Sequence, residues 1–135
     1  MLQAYSSNIT VAANTAYPLN NVTVEKGCSV VLSAPGTIQL NKRGLYCVTC
    51  DGYNTASAAS EVSIQLAVNG VLQPQAIDAY TGSTTNIGNF KFQTLVQVTQ
   101  NNTNCCCTSP TTLQFINGAT AVEDAHINVV VTKLC

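Results

Sequence analysis

Apolar and polar residues alternate along much of this chain, and no stretch repeats apolar residues at the spacing of an amphipathic helix. β-Branched residues are abundant, and turn dipeptides recur at short intervals. From Val62 to Val68 every second residue is apolar, and the segment then meets Asn69-Gly70, a pair typical of a two-residue type I′ hairpin turn. The pattern predicts an all-β chain.

The turn signals divide the alternating segments into short predicted strands. They cover residues 2–5, 9–11, 21–24, 29–32, 37–40, 44–51, 61–68, 71–75, 89–99, 111–116 and 126–133. Pro74 lies in the return strand of the hairpin, and proline has no N–H to donate to a neighbouring strand. That strand is therefore predicted to lie at a sheet edge.

Two of the predicted strands are apolar on both faces, whereas a strand with one face exposed to solvent alternates apolar and polar residues. In residues 44–51, Leu45 and Cys47 point to one face and Tyr46 points to the other. The segment INVVVTKL at 127–134 repeats this double pattern. In a two-layer sandwich the back of each sheet meets solvent unless something covers it. Because no helix is predicted, the simplest cover is another copy of the chain.

Three segments follow one another in the order found in a known jelly-roll family. They read GTIQLNKRGLYCVTCDGYN at 36–54, VSIQLAVNGV at 62–71 and FKFQTLVQVTQNN at 90–102, and a C-terminal strand follows. Over about residues 18–134 they resemble the domain shared by tumour necrosis factor (TNF) and the globular head of complement's first component. The resemblance implies a two-sheet antiparallel jelly-roll sandwich that is homotrimeric, with its inner sheets around a threefold axis. It divides the chain into residues 1–17, a first strand or an N-terminal arm available for docking, and a jelly-roll domain at residues 18–135.

The resemblance also assigns sides to the long strands. The positions that resemble axis-facing ones are Leu45, Cys47 and Thr49 on the central strand, Leu95 on the next long strand and Val130 on the last. The positions that would face the core of each protomer are Tyr46, Val48, Cys50, Val96 and Val98. The first set is the predicted trimer interface, and it agrees with the cover inferred from the doubly apolar strands.

Charged residues make up 8% of the chain, against about 25% in a typical soluble domain. The formal net charge is −1, and the basic residues Lys26, Lys42, Arg43, Lys91 and Lys133 are scattered along the sequence. They form no electropositive stripe, so nucleic acid is not an expected partner. The low charge leaves little repulsion between copies, which favours self-association.

The N-terminal sequence MLQAYSSNIT lacks the basic and apolar segments of a signal peptide, and no segment approaches the roughly 20 apolar residues of a membrane span. We expect a chain that folds in the cytosol where it is made and has no membrane partner. Thiols stay reduced in the cytosol, and the seven cysteines are an odd number. A disulfide framework is therefore not assumed.

Cys47 and Cys50 have the spacing of zinc and thiol-redox motifs. Both kinds of site need a turn or a helix start that brings the two sulfurs together. Residues three apart on a strand point to opposite faces, so these cysteines are predicted to be small packing residues.

Three consecutive cysteines, Cys105, Cys106 and Cys107, lie in a polar segment. Neighbouring Cα atoms are about 3.8 Å apart, closer than an unstrained disulfide prefers. The three thiols can stay free, act as packing residues, or pair with Cys135, Cys28 or another copy after release from the cell. Metal binding is the weaker alternative because no His or carboxylate lies nearby in sequence. The triple-cysteine tract and Cys135 form the candidate disulfide or thiol cluster.

His126 is the only histidine, and Glu123 and Asp124 precede it closely. No nucleophile or cleft is indicated beside it, so it is placed in a surface loop before the last strand. The other carboxylates are too scattered to form an acid/base pair. The sequence predicts no enzyme activity, no catalytic residue, no cofactor and no metal site.

The short N-terminal segment, the triple-cysteine tract and the terminal cysteine resemble small jelly-roll head-decoration or head-fibre proteins of tailed phages of Gram-positive bacteria. This narrower resemblance implies a non-enzymatic structural protein of the virion that docks as a trimer on a capsid or another particle. The alternative is a receptor- or carbohydrate-binding module at a fibre tip or on a spore or cell surface. Its support is the Asn- and Thr-rich segment DAYTGSTTNIGN at 78–89, in which Tyr80 is available for sugar stacking.

Overall fold

Ten β-strands account for most of residues 1–99 and 110–135, the part of the chain that the computed structural model describes. No helix occurs in those residues. The strands are β1 (Leu2–Val11), β2 (Asn21–Glu25), β3 (Val30–Ala34), β4 (Thr37–Leu40), β5 (Gly44–Ala56), β6 (Glu61–Val68), β7 (Val71–Thr81), β8 (Gly88–Val98), β9 (Thr111–Asn117) and β10 (Val122–Lys133).

The strands form two five-stranded sheets in which neighbouring strands are antiparallel. Sheet I has the order β2-β1-β10-β5-β8, and sheet II has the order β3-β4-β9-β6-β7. This arrangement confirms the all-β chain that the alternation predicts and the two-sheet antiparallel sandwich that the resemblance implies.

The core lies between the two sheets and consists of the inward, apolar positions of their strands. Sheet I contributes the residues expected to face the protomer core, which are all buried: Tyr46, Val48, Cys50, Val96 and Val98. Sheet II contributes Ile64, Leu66, Leu113 and Phe115, which are also buried. Burial of a side chain of this size is worth about 1.5–3 kcal/mol, so the alternation that defines the strands also holds the sheets together.

The hairpin between β6 and β7 has the predicted turn. Asn69 and Gly70 have φ angles of 51° and 80°, the left-handed values that a type I′ turn requires at both central positions. β7 is an edge strand of sheet II, where Pro74 interrupts no further strand pairing. The turn type and the edge position are both confirmed.

The N-terminal segment is built into sheet I. β1 runs from Leu2 to Val11 as one strand, because a bulge with Asn8 at φ 53° keeps it paired with β10 where polar residues interrupt the alternation. β1 lies between β2 and β10, and Leu2 and Ala4 are fully buried. The segment is therefore not a free arm, and a docking role for residues 1–17 stays a prediction.

The last strand begins earlier than the sequence predicts. β10 starts at Val122 because a second bulge, with Asp124 at φ 47°, lets the chain stay paired with β5 on both sides of the irregularity. His126 lies inside this strand and pairs with Tyr53 of β5. The placement of His126 in a surface loop was wrong, because the bulge hides the continuation of the strand.

Candidate functional site

Sheet I has a second face, which points away from the core and is called here the outward face. Strand alternation places on it Gln3 and Tyr5 of β1, Leu45, Cys47, Thr49, Asp51 and Tyr53 of β5, Lys91, Gln93, Leu95 and Gln97 of β8, and His126, Asn128, Val130 and Thr132 of β10. All the residues predicted for the trimer interface lie on this face.

The predicted interface residues are neighbours on the outward face. Cys47 pairs with Leu95 across β5 and β8, and Thr49 pairs with Val130 across β5 and β10. Leu95 is 55% exposed, and the other predicted residues are half-buried. The structure gathers them into one patch, called here the apolar half of the outward face and defined by Leu45, Cys47, Thr49, Leu95 and Val130. Two glutamines of β8 border Leu95 in this half, and Gln93 Nε2 donates to Cys47 Sγ at 3.1 Å.

The other half of the outward face is hydrogen-bonded and charged. Gln3 Nε2 donates to Asn128 Oδ1 at 3.2 Å, and Asn128 Nδ2 donates to Asp51 Oδ1 at 3.2 Å. Asp51 also pairs with Lys91 across β5 and β8. These side chains satisfy one another and water can reach them, so this half needs no apolar cover.

Three rings gather at the far end of this polar half. The His126 ring stacks on the Tyr53 ring, with centroids 5.2 Å apart and planes inclined by 13°, and the Tyr5 ring lies 6.4 Å from His126. Ser7 Oγ and His126 Nδ1 lie 2.9 Å apart and share a hydrogen bond. Gly52 allows the close approach of the strands, because a Cβ there would lie 2.0 Å from the carbonyl oxygen of His126.

A shallow pocket of about 440 Å³ opens beside the rings. Its lining residues are Asp51, Gly52, Tyr53, Asn89, Phe90, Lys91 and His126. Tyr53 is 39% exposed, so an aromatic ring, a carboxylate, an amide and an ammonium group surround one space. Sequence analysis missed this pocket because the strand predicted at 44–51 stops before Tyr53 and because His126 was placed in a loop.

The described cysteines do not form one cluster. Cys50 is fully buried in the core, whereas Cys47 lies on the outward face, so the two sulfurs point to opposite sides of β5 as predicted. Burial raises the pKa of the Cys50 thiol well above its usual value, which keeps it protonated and unreactive. Cys135 is an exposed free thiol, and Cys28 is disulfide-bonded. The triple-cysteine tract, Cys105–Cys107, lies outside the described residues.

A buried polar network links β5 to β7. Asn54 Nδ2 donates to the Tyr17 hydroxyl at 3.1 Å, and Asn54 Oδ1 accepts a hydrogen bond from the Tyr80 hydroxyl. Burial raises the pKa of Tyr17 far above its usual value and raises the pKa of Tyr80 to about 12. Both hydroxyls therefore stay protonated at neutral pH, and the network holds the two sheets together.

Neither a metal cluster nor a membrane-spanning helix is found in the described part of the chain. Residues 1–99 and 110–135 contain no group of three or more His, Cys, Asp or Glu side chains that could bind a metal ion. The same residues include no helix with the length and apolar character needed to cross a bilayer.

No protein-family model matches this chain, and no curated protein sequence matches it. Among solved structures, the globular domain of the zebrafish complement 1qA protein is similar over 99% of this chain and 96% of its own, with a TM-score of 0.74 and 6% identity. The vertex protein P5 of phage PRD1 is similar over the same shares, with a TM-score of 0.66 and 17% identity. The Eiger TNF of S. frugiperda is similar over 99% of this chain and 92% of its own, with a TM-score of 0.61 and 14% identity.

At these identities the likeness concerns the fold. It extends over nearly the whole length of each chain, and it includes a complement globular domain and a TNF. The two five-stranded antiparallel sheets agree with it. The chain therefore has the TNF-like jelly-roll fold that its segments predict.

Proposed function

We propose that this chain is a non-enzymatic structural protein that forms homotrimers through the apolar half of the outward face. The observation that carries the proposal is the grouping of Cys47, Leu95 and Val130 on the back of sheet I, beside half-buried Leu45. The sandwich already has a complete core between its sheets, so this patch is not needed to hold one chain together. Apolar patches of this kind are typical of protein interfaces.

Closure of a ring of three copies makes the association favourable. Removing apolar surface from water contributes about 25 cal/mol per Å², so a contact that buries roughly 400 Å² gains about 10 kcal/mol. Each association costs about 4–15 kcal/mol in lost freedom and side-chain ordering. A closed trimer has three contacts, whereas only two copies lose their freedom relative to the third.

We also propose that the trimer docks on a larger particle, as a capsid decoration or head-fibre protein located in the virion. The support is the likeness in fold to the vertex protein of PRD1 and the resemblance in sequence to phage head-decoration proteins. The back of sheet II, which carries Gln39, Gln65 and Gln114 on its three central strands, would keep the outer side of such a trimer in contact with water. The partners are then two further copies of the chain and a protein of the particle.

Light scattering on the purified protein, with and without reductant, tests the trimer. We expect three times the mass of one chain in both conditions, because the proposed interface needs no disulfide. Leu95→Lys places a charge in the apolar half and should yield single chains. Ile77, 44% exposed on edge strand β7 of sheet II, provides the matched control. Ile77→Lys should keep the trimer, and a trimeric Leu95→Lys variant would contradict the proposed interface.

The particle role needs its own test. Electron microscopy of virions purified from the native source should show density for the jelly roll at regular positions on the capsid. Antibody against the chain should label these particles. Capsids that lack both the density and the label would contradict a decoration role without affecting the trimer.

A second candidate function, carbohydrate binding, is favoured by the pocket beside Tyr53 and His126. An exposed ring with flanking carboxylate, amide and ammonium groups can stack on a sugar and donate or accept hydrogen bonds. On a glycan array we expect binding that Tyr53→Ala abolishes. Tyr5→Ala, which changes a ring outside the pocket lining, is the matched control. An array without any bound glycan would remove this candidate.

A further inference from the structure

The chain termini and two turns meet at one end of the sandwich, called here the basic end. Met1 N donates to the carbonyl oxygen of Lys26 at 3.0 Å. Leu45 N, at the start of β5, donates to the carbonyl oxygen of Cys135 at 3.1 Å. These contacts place the starts of β1 and β5 beside the ends of β2 and β10.

Four of the five basic side chains lie at this end, although they are scattered in sequence. Lys26 follows β2, Lys42 and Arg43 precede β5, and Lys133 ends β10. Glu25 is the acidic side chain at the same end, and the charges of the two termini cancel. The net charge of the basic end is therefore +3.

The opposite end, called here the acidic end, carries the reverse charge. Glu123 and Asp124 lie at the start of β10, and Glu61 lies at the start of β6. Thr120, in the turn before β10, donates to the carbonyl oxygen of Glu61 at 2.8 Å, which places these acidic residues at one end. Glu61, Glu123 and Asp124 are exposed. The acidic end has a net charge of −3.

The remaining charged side chains lie between the two ends and largely compensate one another. Lys91 lies opposite Asp51 in the register of β5 and β8, and the backbone N–H of Lys91 donates to Asp78 Oδ2 at 2.8 Å. This middle section has a net charge of −1, which completes the formal charge of −1 for the whole chain. The long sides of the sandwich are therefore close to neutral, and the charge lies at its ends.

The two ends are too far apart to neutralise each other within one chain. β5 has 13 residues and spans about 40 Å at about 3.3 Å per residue. Charges are screened over about 8 Å at physiological ionic strength. Each end therefore presents its charge to whatever approaches it from outside.

We propose that copies of this protein associate end to end, with the basic end of one copy on the acidic end of the next. The acidic end of this molecule has a charge equal and opposite to that of the basic end, so the occupant is a second copy. Exposed apolar side chains can complete the contact: Leu134, 54% exposed, lies at the basic end, and Ile87, 64% exposed, precedes β8 at the acidic end. A head-to-tail contact of this kind repeats from copy to copy and gives open chains unless its rotation closes a ring.

The contact goes beyond the proposed trimer and does not depend on it. Single copies have one basic and one acidic end, and a trimer with its axis along the strands would present three of each. In both cases the mass measured at high salt shows whether the unit is one chain or three. Any increase in mass at low salt then measures end-to-end association. Failure of one proposal therefore leaves the other measurable.

Sedimentation velocity in about 20 mM and about 500 mM salt tests the contact, because salt screens charge–charge attraction. We expect species heavier than the high-salt unit at low salt, in proportion to protein concentration. K42E/R43E leaves both ends acidic, and E61K/E123K leaves both ends basic, so each variant alone should stay at the unit mass. Mixing the two variants should restore the heavier species, because each then meets an end of opposite charge.

Lys91→Glu is the matched control, since it reverses a charge in the middle section and should leave the heavier species unchanged. Wild-type protein that stays at the unit mass at low salt would overturn the proposal, and its basic end would then be open to a foreign acidic partner. A mixture of the two double variants that shows no heavier species would also overturn it.

Discussion

The two sheets of this sandwich have similar inner faces but different backs. Both bury apolar side chains between them, yet the back of sheet I carries Leu45, Leu95 and Val130 on three neighbouring strands, whereas the exposed apolar side chains of sheet II, Val71, Leu72 and Ile77, lie on its edge strand β7. On sheet II, Gln114 Nε2 donates to Thr37 Oγ1 at 3.2 Å, typical of the polar contacts there. Because sheet I groups its apolar side chains across three neighbouring strands, its back is the side that we propose other copies cover.

Polar side chains on sheet II also interrupt the apolar ones that remain. Gln65 pairs with Ile77 on one side and with Ile116 on the other, and its Nε2 donates to the carbonyl oxygen of Gln73 at 3.0 Å. The row Ile77–Gln65–Ile116 is therefore broken at its centre. A single glutamine therefore separates the two isoleucines on the back of sheet II.

Gln65→Leu should have the largest effect, because it removes this difference between the two backs. The substitution joins Ile77 and Ile116 into one apolar row, and we expect concentration-dependent species heavier than the wild-type unit by light scattering in high salt. High salt suppresses end-to-end contacts and leaves apolar association in place. Gln39→Leu, on β4 of the same sheet, is the control. An unchanged mass for Gln65→Leu would show that the back of sheet II does not depend on its polar row.

Changes in the shared interior should alter stability and leave assembly unchanged. Asn54→Ala removes both hydrogen bonds of the buried network and leaves the hydroxyls of Tyr17 and Tyr80 without that partner. We expect the free energy of unfolding to fall by about 1–3 kcal/mol in urea denaturation. Asn89→Ala, at an exposed position of β8, should cost much less. A change in oligomer mass for Asn54→Ala would contradict this separation of interior and back.

The sequence predicts the strands because alternation reports which side of a strand is buried. It defines Thr37–Leu40 and Glu61–Val68 to the residue, and the Asn69-Gly70 turn follows from its chemistry. The early start of β10 was not predictable in this way. A bulge adds a residue to one strand, so the period of two shifts and the pattern no longer shows that pairing continues.

The pocket beside Tyr53 and the charged ends of the sandwich depend on which strands become neighbours. Strand pairing cannot be predicted from amino-acid composition. Lys26, Lys42 and Lys133 are far apart in sequence, but antiparallel strands return the chain to the same end each time. Tyr53 and His126 meet because β5 and β10 are central neighbours and because Gly52 allows the strands to approach. The side assignment of Leu95 and Val130 was predictable, because it follows from alternation once the family resemblance supplies the sheet.

Tyr80, a half-buried member of the hydrogen-bonded network, makes the stability of the fold sensitive to alkaline pH. Tyr80 has a pKa of about 12 in the folded chain and about 10 when unfolded, so between these values the folded chain holds a proton that the unfolded chain has released. Its contribution is fully present below about pH 10 and is lost as the pH rises towards 12. Tyr80→Phe should therefore make the decline in the free energy of unfolding less steep between about pH 10 and pH 12. A decline as steep as in the wild type would contradict the assignment.

The smallest expected effect concerns the thiols on the two sides of β5. Cys50 faces the core, Cys47 faces outward beside Leu95, and Cys135 is exposed at the basic end. Alkylation with iodoacetamide, followed by peptide mass spectrometry, should modify Cys135 first and Cys50 only on unfolding.

The alkylation rate of Cys47 tests whether other copies cover the back of sheet I. In the wild type, sister copies should protect it, and in Leu95→Lys its alkylation should become several-fold faster while Cys135 reacts as before. Ile77→Lys should leave the rate at Cys47 unchanged. Equal rates at Cys47 in the wild type and in Leu95→Lys would mean that water reaches the back of sheet I as freely as that of sheet II. The contrast between the two sheets would then have no consequence for assembly.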